Sequence, residues 1–166
     1  MNASKLLPLL AIVAIFSFTS CSTDTMDDDT LKAIEVSNVP QAKQIEIEIM
    51  EIINDYRINE GLNPLQYHSV VKAVAYTHTD YMIEANNVSH DNFYLRKQSL
   101  QANASADLVS ENVAYGFNSA ESVVNAWLNS PSHKANIEGD FTDFDVSAEM
   151  NTQGKWYFTN IFIKRG

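Results

Sequence analysis

Late in the chain the hydrophobic period changes from that of a helix to that of a strand, and this switch limits the fold more than any other feature. Upstream, in a domain that starts near Gln41, Ile45, Ile49, Ile52, Ile53 and Tyr56 recur at helical spacing and predict a helix through to Glu60, which Gly61 stops before an Asn63-Pro64 turn. Ser69 is placed to cap a second helix over residues 70–85, with Val70, Val71, Val74, His78, Tyr81 and Met82 on parts of one face, ended by Asn86-Asn87. A short helix over 93–100, a turn over 103–107 and a strand over 108–114 follow. Asn118 and Glu121 make a capping-box-like start for a helix to Asn129 that buries Val123, Val124, Trp127 and Leu128. Residues 131–136 predict one more helical turn, closed by Gly139. Then Val146, Ala148 and Met150 alternate, as do Trp156, Phe158, Asn160 and Phe162, with hairpin chemistry in Asn151-Thr152-Gln153-Gly154. Helices first and an antiparallel hairpin last give an α+β class, with no internal repeat.

The N-terminus carries a different signal. Lys5 supplies one positive charge, residues 6–18 are almost wholly apolar, and Thr19-Ser20 lead directly to Cys21. This is the order of a secretory signal peptide. Its apolar run of about thirteen residues is short of the ~20 that a membrane-spanning helix needs. Phe18-Thr19-Ser20-Cys21 resembles the lipobox of bacterial lipoproteins, which implies that residues 1–20 are removed and Cys21 is acylated. Residues 21–40 hold the acidic, small and polar run from Ser22 to Thr30 and read as a tether with a reach of roughly 25 Å. Residues 41–166 are left as one domain, large enough for a real core. Cys21 is the only cysteine, so packing and not disulfides must hold that domain together.

Charge excludes some partners. The chain holds 11 Lys and Arg against 21 Asp and Glu, a net charge of −10, and no basic stripe interrupts it. Nucleic acid is repelled, and so are anionic head groups, which leaves a lipid on Cys21 as the main membrane contact.

The catalytic motifs with a clear mechanism are missing: no Gly-rich phosphate loop, no His-Glu-x-x-His helix and no G-x-S-x-G elbow. What remains is His90 in Val88-Ser89-His90-Asp91, Glu111 in Ser110-Glu111-Asn112, and His133 in the tract from Trp127 to Ile137. Taken singly, each reads as a surface or packing residue. Two imidazoles and a carboxylate can bind zinc with water in the fourth place, and that water can be activated for hydrolysis. Alternatively, Glu111 can orient an imidazole that acts as a general base. Ser130 reads as a cap for the turn at Pro131 in preference to a nucleophile. His68 reads as an exposed loop residue, and His78 as a packing histidine satisfied by a hydrogen bond. Trp127, Trp156, Tyr157 and Phe158 read as core.

Taken in order, these pieces resemble the CAP superfamily of cysteine-rich secretory proteins, antigen-5 allergens and plant pathogenesis-related proteins, and within it a bacterial, disulfide-free branch. The markers are Asn54-Asp55-Tyr56-Arg57, Gly61-Leu62, Pro64-Leu65, Ala73 through His78 to Asp80 and Met82, Ser89-His90, Glu111-Asn112 and the tract from Trp127 to Ile137. They run from about Ile45 to Phe162, and the last tract is the most specific.

The resemblance implies an α-β-α sandwich with a small central antiparallel sheet, and a ligand cleft where His90, Glu111, Asn112, Ser130 and His133 meet. It also implies a divalent metal such as zinc on His90 and His133. Two departures weaken a four-residue acid–base or metal site: Ser130 stands where many members have a second glutamate, and Ser110 where a glycine is usual. The expected function is a lipid-anchored, exported binding module of the bacterial cell envelope for a small apolar ligand, a metal or an extracellular protein, with the acidic run after Cys21 open to two readings, a surface-export signal or a plain spacer. The competing functions are a peptidase-like hydrolase on the same cleft and a purely structural envelope role. The reading leans away from an enzyme.

Overall fold

The computed structural model describes residue 36 and residues 39–166; the expected signal peptide, Cys21 and most of the tether lie outside the described residues. The elements, in order, are α1 (Gln44–Asn59), β1 (Gln66–Tyr67), α2 (Ser69–Ala85), α3 (Phe93–Ala104), β2 (Ala106–Tyr115), α4 (Ala120–Leu128), α5 (Pro131–Ile137), β3 (Asp143–Met150) and β4 (Trp156–Arg165).

The expected hairpin forms between β3 and β4, with register from Met150 opposite Trp156 to Asp143 opposite Ile163. Asn151 builds its turn: its Oδ1 accepts from the Gln153 and Lys155 amides at 3.0 and 2.9 Å. Gly154 takes φ +73°, a backbone region open to glycine. The sheet order is β1-β3-β4-β2, with β2 antiparallel to β4 and β1 parallel to β3. β1 has two residues, too few for any periodic signal, and was not foreseen.

Both faces of the sheet are covered, so β4 is buried without a break from Tyr157 to Ile163. On one face Phe144, Val146, Phe158 and Phe162 meet Ile49 and Ile53 of α1, Val123 and Trp127 of α4, and Ile137 of α5. On the other, Val109, Ile161 and Ile163 meet Val71, Val74 and Ala75 of α2 and Leu100 and Ala104 of α3. Alternating side chains send successive strand residues to opposite layers, and the result is the α-β-α sandwich. One polar strand residue finds its partner on a helix: Thr79 of α2 meets the Thr159 hydroxyl at 2.9 Å.

Several local expectations change. Ser119, not Asn118, caps α4: its Oγ accepts from the Ser122 amide at 3.2 Å, and the Ser122 Oγ answers from the Ser119 amide at 3.3 Å. His68, not Ser69, stands at the N-cap of α2, with no side-chain cap bond. Ser130 does stand at the N-cap of α5, but its hydroxyl caps no amide and faces the Ser132 Oγ at 3.4 Å. His68 is half-buried, with its Nδ1 buried and without a hydrogen-bond partner, and so is not the exposed loop residue expected. His78 is buried, its Nε2 donates to the Ser89 carbonyl at 2.8 Å, and its ring stacks on Tyr81.

One buried arginine fixes α5 to α1. Arg57 donates from Nη1 to the Ile137 and Gly139 carbonyls at 2.6 and 3.0 Å, and from Nε to the Asn63 carbonyl at 2.9 Å. These bonds satisfy carbonyls that the end of a short helix leaves open. Gly139 is required by space, since a Cβ there would lie 2.3 Å from the Phe141 ring.

Candidate functional site

The register of β2 puts Glu111 opposite Ile161, on the face covered by α2 and α3. A carboxylate taken from water there needs partners on both oxygens. Arg96 of α3 supplies a fork: Nε to Oε2 at 2.7 Å and Nη2 to Oε1 at 2.7 Å. His90, in the loop between α2 and α3, adds Nδ1 to Oε1 at 2.8 Å. The His78 Nε2 lies 3.9 Å from the same oxygen, close enough to feel its charge but bonded elsewhere. Arg96 also donates from Nη1 to the Asp91 carbonyl at 2.6 Å, which ties the His90 loop to α3.

The electrostatics follow. Burial pushes the Glu111 carboxyl up, but the hydrogen bonds from His90 and Arg96 and the arginine's charge outweigh it and hold the group below the ordinary carboxylate range. Burial, with Arg96 beside it, holds His78 below the usual histidine range despite Glu111. Because an ionised carboxylate only accepts, the His90 Nδ1 is the donor, and its Nε2 is the ring's open position. The His90 side chain is 53% exposed while that of Glu111 is 1% exposed. One group is anchored and the other is presented.

Asparagines position His133. The Asn112 Nδ2 donates to the His133 carbonyl at 3.1 Å, and the Asn136 Nδ2 donates to the Asn112 Oδ1 at 2.8 Å and the Glu111 carbonyl at 3.2 Å. Trp127 Nε1 reaches the Val113 carbonyl at 3.3 Å. β2 is an edge strand, and these side chains cap its outward carbonyls while seating α5 beside it. His133 is half-buried; burial and then the nearby His90 lower its affinity for a proton. A hollow of about 270 Å³ is lined by His90, Phe93, Val109, Ser110 and Glu111. Ser130 does not line it, and neither does His133.

This geometry goes with a recognisable lineage. The model of the cysteine-rich secretory protein family, CAP, matches residues 50–162. The chain belongs to the CAP family. It is 31% identical over 144 residues to an uncharacterized membrane protein of Bacillus subtilis, YlbC, covering 84% of this chain but only 38% of that relative. Among solved structures, this CAP domain is similar to an outer surface protein of Borrelia burgdorferi, with TM-score 0.69 and 26% identity over 76% of this chain and 97% of that one. It is also similar to an extracellular SCP-domain protein of Bacillus anthracis, with TM-score 0.64 and 26% identity over 72% of this chain and 40% of that one. Among the described residues no helix is long and apolar enough to cross a membrane.

A zinc ion on His90, Glu111 and His133 does not fit this CAP domain. Both Glu111 oxygens are taken by Arg96, and one by His90 as well. Among the described residues no three His, Cys, Asp or Glu side chains are grouped to hold a metal ion. Arg96 was missed in the sequence. The signal that points to it is chemical: a glutamate in a buried strand requires a cation from a neighbouring element.

Proposed function

We propose that this CAP-domain protein is an exported binding module, anchored by lipid on Cys21 to the bacterial envelope and facing outward, that recognises its ligand through His90, at the hollow it lines with Glu111, and through His133 outside that hollow. The observation that carries the reading is the division of labour at Glu111. An ionised carboxylate gripped by an arginine fork is neither a ready proton donor nor a free metal ligand, so it serves to hold His90 outward. Recognition then falls to His90 and His133 and the hollow beside them. The occupant is a small apolar ligand, an extracellular protein or a metal held by the two histidines alone. Outer-surface and extracellular relatives support the placement.

Native mass measurement of the full chain, taken from the envelope in detergent, tests this. A bound mass on the wild type that is lost from the His90→Ala/His133→Ala double variant is expected. Equal masses on both proteins would contradict the reading. Cys21→Ser should stop uptake of a palmitate analogue, and continued uptake would remove the anchor.

A hydrolase has one observation in its favour: Glu111 orients the His90 Nδ1 and leaves Nε2 outward, as a general base requires. Among the described residues, however, no hydroxyl or thiol is hydrogen-bonded to the ring of His90 or His133. A peptide-library digest decides it. Cleavage by wild type and none by Glu111→Ala would revive the enzyme.

A further inference from the structure

We infer that a hollow between α1, α2 and β3, separate from the His90 cleft, is a second ligand site that takes a monocation with an apolar body, its charge held by Asp145. The hollow is about 490 Å³. Val39, Pro40, Ile47, Met50 and Tyr67 form its apolar wall, and His68, Lys72 and Asp145 its polar end. An apolar pocket with a few convergent polar groups is the usual form of a small-molecule site.

The charge balance selects the ligand. Glu46 of α1 and Asp145 of β3 are both buried, and among the described residues the one buried cation near them is Lys72 of α2. Lys72 is committed to Glu46, with Nζ 2.6 Å from Oε2, and it donates a further bond to the Val146 carbonyl at 2.9 Å. The amides of Lys43 and Ala148 complete Glu46, each at 2.7 Å. The Lys43 ammonium is paired with Glu149. Arg165 is paired with Asp143, through Nε at 2.8 Å and Nη2 at 2.6 Å. His68 is kept neutral by burial and by Arg165, and its Nδ1 has no partner. Partial desolvation and nearby carboxylates raise the Tyr67 hydroxyl above its usual value. Asp145 thus accepts the Val146 amide at 2.9 Å but, among the described residues, has no cation bonded to it. Burial raises its carboxyl to about 7, even against the attraction of Lys72. A ligand ammonium supplies the missing positive charge, the orphaned imidazole supplies a further hydrogen bond, and the apolar wall takes the body. Binding draws the carboxyl into its ionised form, so affinity rises with pH.

Calorimetric titration of the full chain with benzylamine tests this, with benzyl alcohol as the uncharged probe. Benzylamine should bind more tightly than the alcohol, and about tenfold more tightly at pH 8 than at pH 6, as a group titrating near 7 dictates. Asp145→Asn should weaken benzylamine at least tenfold at pH 8 and remove the pH dependence. Ile47→Trp, which narrows the hollow from its half-buried wall but leaves every ionisable group in place, should abolish binding. Equal affinity for the alcohol, wild-type affinity in either variant, or no benzylamine binding at all would overturn the inference.

Discussion

Replacing Arg96 by Met is expected to lower the unfolding free energy by about 3–5 kcal/mol at neutral pH, because it breaks a buried pair from one side. That loss is comparable to the whole stability of a marginal domain. Arg96 is 3% exposed and makes two of the three hydrogen bonds to the Glu111 carboxylate. Without it the carboxylate keeps only His90, whose ring is half in solvent. The added change Glu111→Leu should recover part of the loss, since it removes the orphaned charge itself. The pH dependence has a definite sign. Glu111 sits below its ordinary value in the folded chain, so its contribution is complete above the normal carboxylate range and is lost as pH falls through its folded value. The Arg96→Met variant should lose that acid-side dependence. Urea unfolding measures both effects, and a cost under about 1 kcal/mol would show that the fork is not what neutralises Glu111.

Asp145→Asn should do the reverse, raising stability by about 4 kcal/mol at pH 8, with the gain shrinking below pH 7 and mostly gone at pH 4. Burial lifts the Asp145 carboxyl to about 7 from its ordinary 3.8. The folded chain therefore holds a proton that the unfolded chain releases, and stability falls as pH rises between those values. Asparagine is neutral throughout and escapes this cost. Urea unfolding at pH 4, 6 and 8 checks it, and a difference that does not change with pH would contradict the account. Glu111 and Asp145 are a related pair: they flank Ile161 on the two neighbouring strands, on the same face beneath α2. Two strand spacings put their backbones roughly 10 Å apart. His78 of α2 faces one and Lys72 the other. Among the described residues, only the first has a full counter-charge bonded to it.

The helices and the hairpin were legible in the sequence because their burial is periodic. Ile49 and Ile53 of α1, Trp127 of α4 and the aromatic residues of β4 all fall where spacing puts them. Element ends were less legible. Ser119 and Asn118 are both good caps, and only the geometry of the chain entering α4 chooses between them. His90 and Glu111 were found through the resemblance, since residues 21 apart give no sign of contact. Arg96, Lys72 and Glu46 were missed for the same physical reason: charged residues on a helix read as solvated until a long-range carboxylate claims them. His68 went wrong in the same way, as a polar residue ahead of a helix that tertiary packing half buries.

The central claim is that Glu111 is ionised and anchored, which leaves recognition to the histidines. Following the carboxyl carbon of Glu111 by NMR through a pH titration of the full chain tests it most directly. The prediction is that the group takes up a proton only below the ordinary glutamate value. A Glu111 that protonates at or above that value would be an available acid, and would contradict the account.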